Sequence, residues 1–64
     1  MIKFKKVDFF TWEGDKNEVG VFRIHDEGSW YTPMVDGVPL TDERLSLEDS
    51  IDACNQYYIF RSNL

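Results

Sequence analysis

Apolar positions alternate at the start of the chain, with Ile2 and Phe4 set against Lys3 and Lys5, and then lose phase, falling after Lys6 at Val7, Phe9 and Phe10. The β-forming content predicts one strand from Ile2 to Trp12, held in register by a bulge near Lys5–Lys6 or by burial of both faces near Phe9–Phe10. Polar, turn-forming residues from Glu13 to Glu18 end it. Val19 to His25 alternates again, with Gly20, Phe22 and Ile24 on one face and Val19, Val21 and Arg23 on the other, which predicts a second strand. Asp26-Glu27-Gly28-Ser29 reads as the turn of a hairpin into a third strand, Trp30 to Val35. Pro33 lacks an amide donor, so that strand is expected at an edge or broken near Pro33. Asp36-Gly37 is a two-residue hairpin signal leading to a short return strand, Val38 to Leu40, whose pairing Pro39 limits.

The pattern then changes period. Ser46-Leu47-Glu48-Asp49 is a helix start, with Ser46 as N-cap and Asp49 placed to reach back from the third helical position. Leu47, Ile51, Cys54 and Tyr58 recur on one helical stripe, Glu48 and Asp49 sit at the positive end of the helix dipole, and Arg61 sits near the negative end. This predicts a helix to about Gln56. From Tyr57 to Phe60 strand propensity competes, so a terminal strand is the alternative there. The expected fold is α+β: a small antiparallel three- or four-stranded meander sheet with one C-terminal α-helix packed on one face, residues 1–64 forming a single domain. One helix hides one face of a sheet; the other face must be polar or available for contact.

Composition sharpens this picture. A chain of 64 residues buries only roughly 60% of its unfolded surface, so large side chains count heavily, and 16% aromatic residues supply them. At 42% hydrophobic the chain is too apolar to be disordered. The single cysteine, Cys54, allows no internal disulfide, which points to a reducing compartment. Charges at Lys3, Lys5 and Lys6 occupy the place of a signal peptide's apolar region, and no apolar run reaches the roughly 20 residues of a membrane span, so a cytoplasmic location off the membrane is expected. The formal net charge of −5 disfavours direct binding to nucleic acid or anionic lipid and favours a basic partner.

Candidate chemistry is sparse, and no cofactor or metal is expected. His25 with Asp26 and Glu27 is too few ligands for a metal, and neighbours on a strand point to opposite faces, so an exposed hairpin histidine is the better reading. Cys54 lies on the apolar helix stripe, where a thiol acts as a small hydrophobe. Some pair among twelve acids must fall at glycosidase-like spacing by chance, while a domain this small has little room for a substrate pocket. No enzyme is expected.

The notable feature is a run of carboxylates at Asp36, Asp42, Glu43, Glu48, Asp49 and Asp52 with one cation among them, Arg44. The plain reading is a solvated face that also complements the helix N-terminus. Against it, Glu48 and Asp49 share a helix face with Asp52 and repel it slightly, a pattern that does not favour the helix itself. The functional reading is a non-enzymatic protein–protein interaction module whose acidic residues Asp42, Glu43, Glu48, Asp49 and Asp52, with Trp12, Trp30 and Tyr31 as aromatic anchors, dock on a basic groove of a larger protein. In size and charge alone the chain is similar in character to small virus-encoded proteins that inhibit host nucleic-acid enzymes or defence complexes by mimicking nucleic acid; no motif places it among them. The alternative is a sheet-based nucleic-acid-binding protein in which Lys3, Lys5, Lys6 and Arg23 meet phosphate and Trp12, Phe22 or Trp30 stack on bases. Free sheet faces and edges make a homodimer compatible with either.

Overall fold

The computed structural model describes residues 1–64. Strands β1 (Phe4–Asp8), β2 (Thr11–Gly14), β3 (Phe22–Asp26), β4 (Tyr31–Val35) and β5 (Val38–Pro39) form a five-stranded antiparallel sheet in chain order, and helix α1 (Leu47–Ser62) packs across β4 and β3. The α+β meander with a C-terminal helix is as expected, but three or four strands is corrected to five. The segment Ile2 to Trp12 is not one strand. It folds back at Asp8–Thr11, so the loss of phase in the sequence is absorbed by an irregularity between Lys6 and Asp8 and by a turn. The Asp8 carboxylate stabilises that turn by accepting the Phe10 N–H at 2.9 Å.

The other elements follow their local chemistry. Asp36 and Gly37 both have positive φ, 51° and 81°, as a tight hairpin between β4 and β5 requires. Asp36 also accepts the Val21 N–H, tying the turn to the entry of β3. Pro33 stands inside the sheet opposite Ile24. In an antiparallel strand a residue's N–H and C=O point to the same side, and the Pro33 carbonyl takes the Leu40 N–H at 2.8 Å. The missing donor therefore faces the end of two-residue β5, where no ladder bond is lost. Tyr31, on the same edge, donates instead to the Leu45 carbonyl at 2.8 Å.

Helix α1 begins at Ser46, whose hydroxyl accepts the Asp49 N–H at 3.0 Å, and continues through Tyr57–Phe60 to Ser62. The strand alternative for that segment is thereby excluded. Packing overrides its propensity: the Tyr57 ring meets Phe22 edge-on at 6.2 Å. The Asp49 carboxylate makes no return bond to the cap, so only half of a capping box forms.

Only seven of the 64 residues are buried, so stability rests on few contacts. Phe22 and Ile24 on β3, Pro33 on β4 and Cys54 and Ser50 on α1 are wholly enclosed, and Ile2 closes one side. A Cβ on Gly14 would lie 2.6 Å from Ile2 Cγ2, so a side chain at that position would displace Ile2 from beside β2. Asn55 of α1, also buried, accepts the Ile2 N–H at 2.6 Å, donates to the Ile2 carbonyl at 3.3 Å and donates to the Ile51 carbonyl at 3.1 Å. This side chain supplies the partners that a neighbouring strand would otherwise give to the chain before β1. Asn55→Leu keeps the volume but leaves both Ile2 groups unpaired, at a cost of about 1–3 kcal/mol. Thermal denaturation should show a Tm lowered by roughly 10 °C.

Candidate functional site

The acidic run divides in space. Asp36 belongs to the β4–β5 turn, whereas Asp42 and Glu43 lie exposed in the loop before α1, where the Thr41 hydroxyl accepts the Glu43 N–H at 3.1 Å. Glu48 and Asp49 occupy the first turn of α1 and Asp52 the next, all exposed. None of these carboxylates is in an ion pair. The molecule's one salt bridge joins Arg23 to Glu13 on the sheet surface away from the helix. Arg44, the only cation within the run, lies over the Trp30 ring at 4.2 Å and pairs with no carboxylate.

The meander then gathers further charge. Its β1–β2 and β3–β4 turns lie at the same end of the sheet, joined by a 2.7 Å bond from the Asp26 N–H to the Phe10 carbonyl. The Tyr31–Leu45 bridge brings the loop before α1, and hence the N-terminus of the helix, to that end as well. Asp8, Asp26 and Glu27 therefore join Asp42, Glu43, Glu48 and Asp49 at one acidic pole, with Asp52 one helical turn behind.

The three anchors expected from sequence do not lie together. Trp30 is half-buried at the acidic pole beneath Arg44. Tyr31, next to it, packs its ring against the core cluster. Trp12 is on the helix-facing side of β2, packed against the same cluster, with Lys6 at 5.6 Å from its ring and its Nε1 buried without a hydrogen-bond partner.

Sequence reasoning missed the most exposed aromatic residues of the pole. Phe9 and Phe10 form the tip of the β1–β2 hairpin and are 84% and 61% exposed. Their rings lie 6.4 Å apart, and Phe10 lies near-parallel to His25 at 6.5 Å. The signal was present in Asp8, an Asx-turn residue standing just where alternation fails.

The remaining chemistry is dispersed. His25 is exposed on the open face of the sheet, whereas Cys54 is enclosed on the helix face, so the only imidazole and the only thiol lie on opposite sides of the sheet. No three His, Cys, Asp or Glu side chains converge to hold a metal ion. A cleft of about 390 Å³ on the open face is lined by Asp8, Thr11, Glu13, Arg23 and His25. A groove of about 740 Å³ runs between α1 and β4–β5 past Val35, Leu40, Tyr57 and Phe60. No helix is long and apolar enough to cross a membrane. No protein-family model matches the chain, and neither a curated protein nor a solved structure matches it.

Two groups titrate in ways that test this geometry. Burial pushes the Cys54 thiol up to about 12, with hydrogen bonding at the Met34 backbone opposing it only in part. In the folded protein Cys54 should therefore resist a disulfide reagent such as DTNB at pH 8 and react only on denaturation; fast native labelling would show the helix standing off the sheet. The Asp8 carboxyl is held below its ordinary 3.8, first by the Phe10 N–H and then by Thr11. Because its folded pKa is depressed, its contribution to the hairpin is complete above pH 3.8 and is lost as pH falls through the lower folded value. The Phe10 amide resonance should accordingly titrate with a midpoint below 3.8, and a midpoint at or above that value would contradict the Asp8 contact.

Proposed function

We propose that this chain is a non-enzymatic protein-binding module that docks its acidic pole on a basic surface of a larger protein in the cytoplasm. The observation that carries this reading is the set of exposed carboxylates from Asp42 to Asp52 with no ion pair, in which the one available cation, Arg44, is engaged by Trp30. An opposite charge at i+3 or i+4 would stabilise the helix, and Glu48, Asp49 and Asp52 have none there. Free negative charge at one end also steers approach to a positive surface and fixes orientation there. A narrower form of the proposal, supported by small size and net charge of −5, is a virus-encoded inhibitor that occupies the nucleic-acid channel of a host enzyme or defence complex.

The nucleic-acid-binding alternative has weaker support. Phe22 is wholly buried and Trp12 turns its indole nitrogen inward, so neither offers a free stacking face. Lys3 and Lys5 line a shallow cleft together with Glu13 and Asp15, Arg23 pairs with Glu13, and Lys6 lies over Trp12 on the other face, so the positive charge is divided and offset by carboxylates.

The test is affinity purification of the partner from the native cell, followed by calorimetry with Glu48→Lys/Asp49→Lys/Asp52→Lys. Loss of three attractive contacts, each about 0.2–1 kcal/mol, together with the new repulsion, should weaken binding at least about tenfold at low salt. Lys in the first turn of α1 opposes the helix dipole, so Tm should fall by several degrees, and binding is compared well below it. Unchanged affinity would remove the acidic pole as the site, and salt-sensitive micromolar binding of labelled single- or double-stranded DNA in a mobility-shift assay would favour the alternative.

A further inference from the structure

We infer that Phe9 and Phe10 are an aromatic plug by which the acidic pole enters an apolar pocket rimmed by Lys and Arg on a partner protein. This rests on the acidic-pole reading and adds what that reading lacks, a source of affinity beyond exposed charge. Three observations carry it. Turn tips favour Gly, Asn, Asp and Ser, whereas this tip holds two adjacent Phe, and the fold gains little from them at 84% and 61% exposure. A local rule broken without a structural return is the pattern expected of a contact residue.

The tip is also fixed in place before any partner arrives. Asp8 accepts the Phe10 N–H at 2.9 Å, the Phe10 carbonyl accepts the Asp26 N–H at 2.7 Å, and the Phe10 ring is offset from His25 with centroids 6.5 Å apart. Phe9, the outermost ring, touches only Phe10 among the aromatic side chains. Preorganised aromatic residues lose little entropy on docking and are favoured as interface anchors.

Charge then selects the occupant. Asp8, Asp26 and Glu27 flank the tip and the carboxylates of the α1 N-terminus stand on the same pole, so an apolar pocket with an acidic rim, or an anionic membrane, would repel it. Self-association through the tip would bring two such poles together, so a second copy is excluded on the same ground. The groove beside α1 does not compete as the anchor, because it is concave, lies toward the other end of the helix and has a single lining carboxylate, Asp36, which is held by the Val21 N–H.

Two defined peptides of equal charge test the plug by titration into the labelled protein under NMR: an amphipathic helix with a Leu face flanked by Lys, and oligolysine. The wild-type protein should bind the Leu/Lys peptide at least about tenfold more tightly than oligolysine, with the largest shifts at Phe9 and Phe10. Phe9→Ser/Phe10→Ser should reduce that affinity to the oligolysine level, and Phe9→Ser alone, at a side chain with almost no contacts to lose, should account for much of the loss with Tm unchanged. Equal affinity for the two peptides, indifferent to both variants, overturns the plug and leaves the acidic pole standing. Binding that depends on Phe9 yet ignores Glu48→Lys/Asp49→Lys/Asp52→Lys and added salt overturns the acidic pole instead. Binding of neither peptide overturns both, and Phe9-dependent partition into phosphatidylcholine vesicles overturns the assignment to a protein pocket.

Discussion

Phe22 and Ile24 on β3, pressed against Cys54 and Ser50 on α1, form the contact on which the rest of this molecule depends. The helix approaches closely there because its inward residues are small, and the wholly buried Pro33 adds flat, uncharged surface beside them. One 16-residue helix cannot cover five strands. It lies over β3 and β4, leaving β1 and β2 to be held by sheet pairing, by Phe4 and Trp12 at the margin of the core, by Ile2 and by the Asn55 bonds to the Ile2 backbone. The long-range order of the fold thus passes through few groups, and a free sheet face and exposed hairpin tips follow directly from the shortage of covering layers.

How much of this could be read from the sequence depended on whether local chemistry and tertiary packing agreed. Asp36-Gly37 and Gly28 tolerate the positive φ that tight turns need and the Ser46 hydroxyl suits an N-cap, and turn, turn and cap stand where they were expected. At Tyr57–Phe60 the two disagreed: β-favouring side chains are helical because Tyr57 finds Phe22, and Tyr58 lies beside Glu18, which together with burial and Asp15 raises its phenol. No pattern within α1 encodes those contacts across the chain. The count of strands failed for a different reason. Phe9 and Phe10 look like strand interior by composition, and only Asp8 marks the turn, so the hairpin was concealed by the very residues that make its tip unusual.

The exposure of the proposed acidic surface was legible in the sequence, and its extent was not. Charge along the sequence identified Asp42, Glu43, Glu48, Asp49 and Asp52, and all are exposed and unpaired. What sequence spacing could not show is that a meander stacks alternate turns at one end, bringing Asp8, Asp26 and Glu27 to the same pole from two hairpin turns. Nor could it show that Arg44 would prefer the Trp30 ring. A guanidinium over an indole gains about 0.5–1 kcal/mol at an exposed site, comparable to an exposed ion pair. Geometry therefore decides between them, and it decides in favour of Trp30.

Among these carboxylates Asp52 separates the demands of the fold from those of binding. Glu48 and Asp49 stand in the first turn of α1, where a negative charge stabilises the helix by about 0.3–1 kcal/mol, so their presence has a sufficient structural cause. Asp52 lies beyond that turn, where the dipole has faded, and it repels Glu48 at i+4 and Asp49 at i+3 by about 0.2–0.5 kcal/mol each. It makes no ion pair and no side-chain hydrogen bond in return. A neutral residue at this exposed position would serve the helix better. Its charge is therefore the part of the acidic surface that folding does not account for, and it extends the pole along the helix flank.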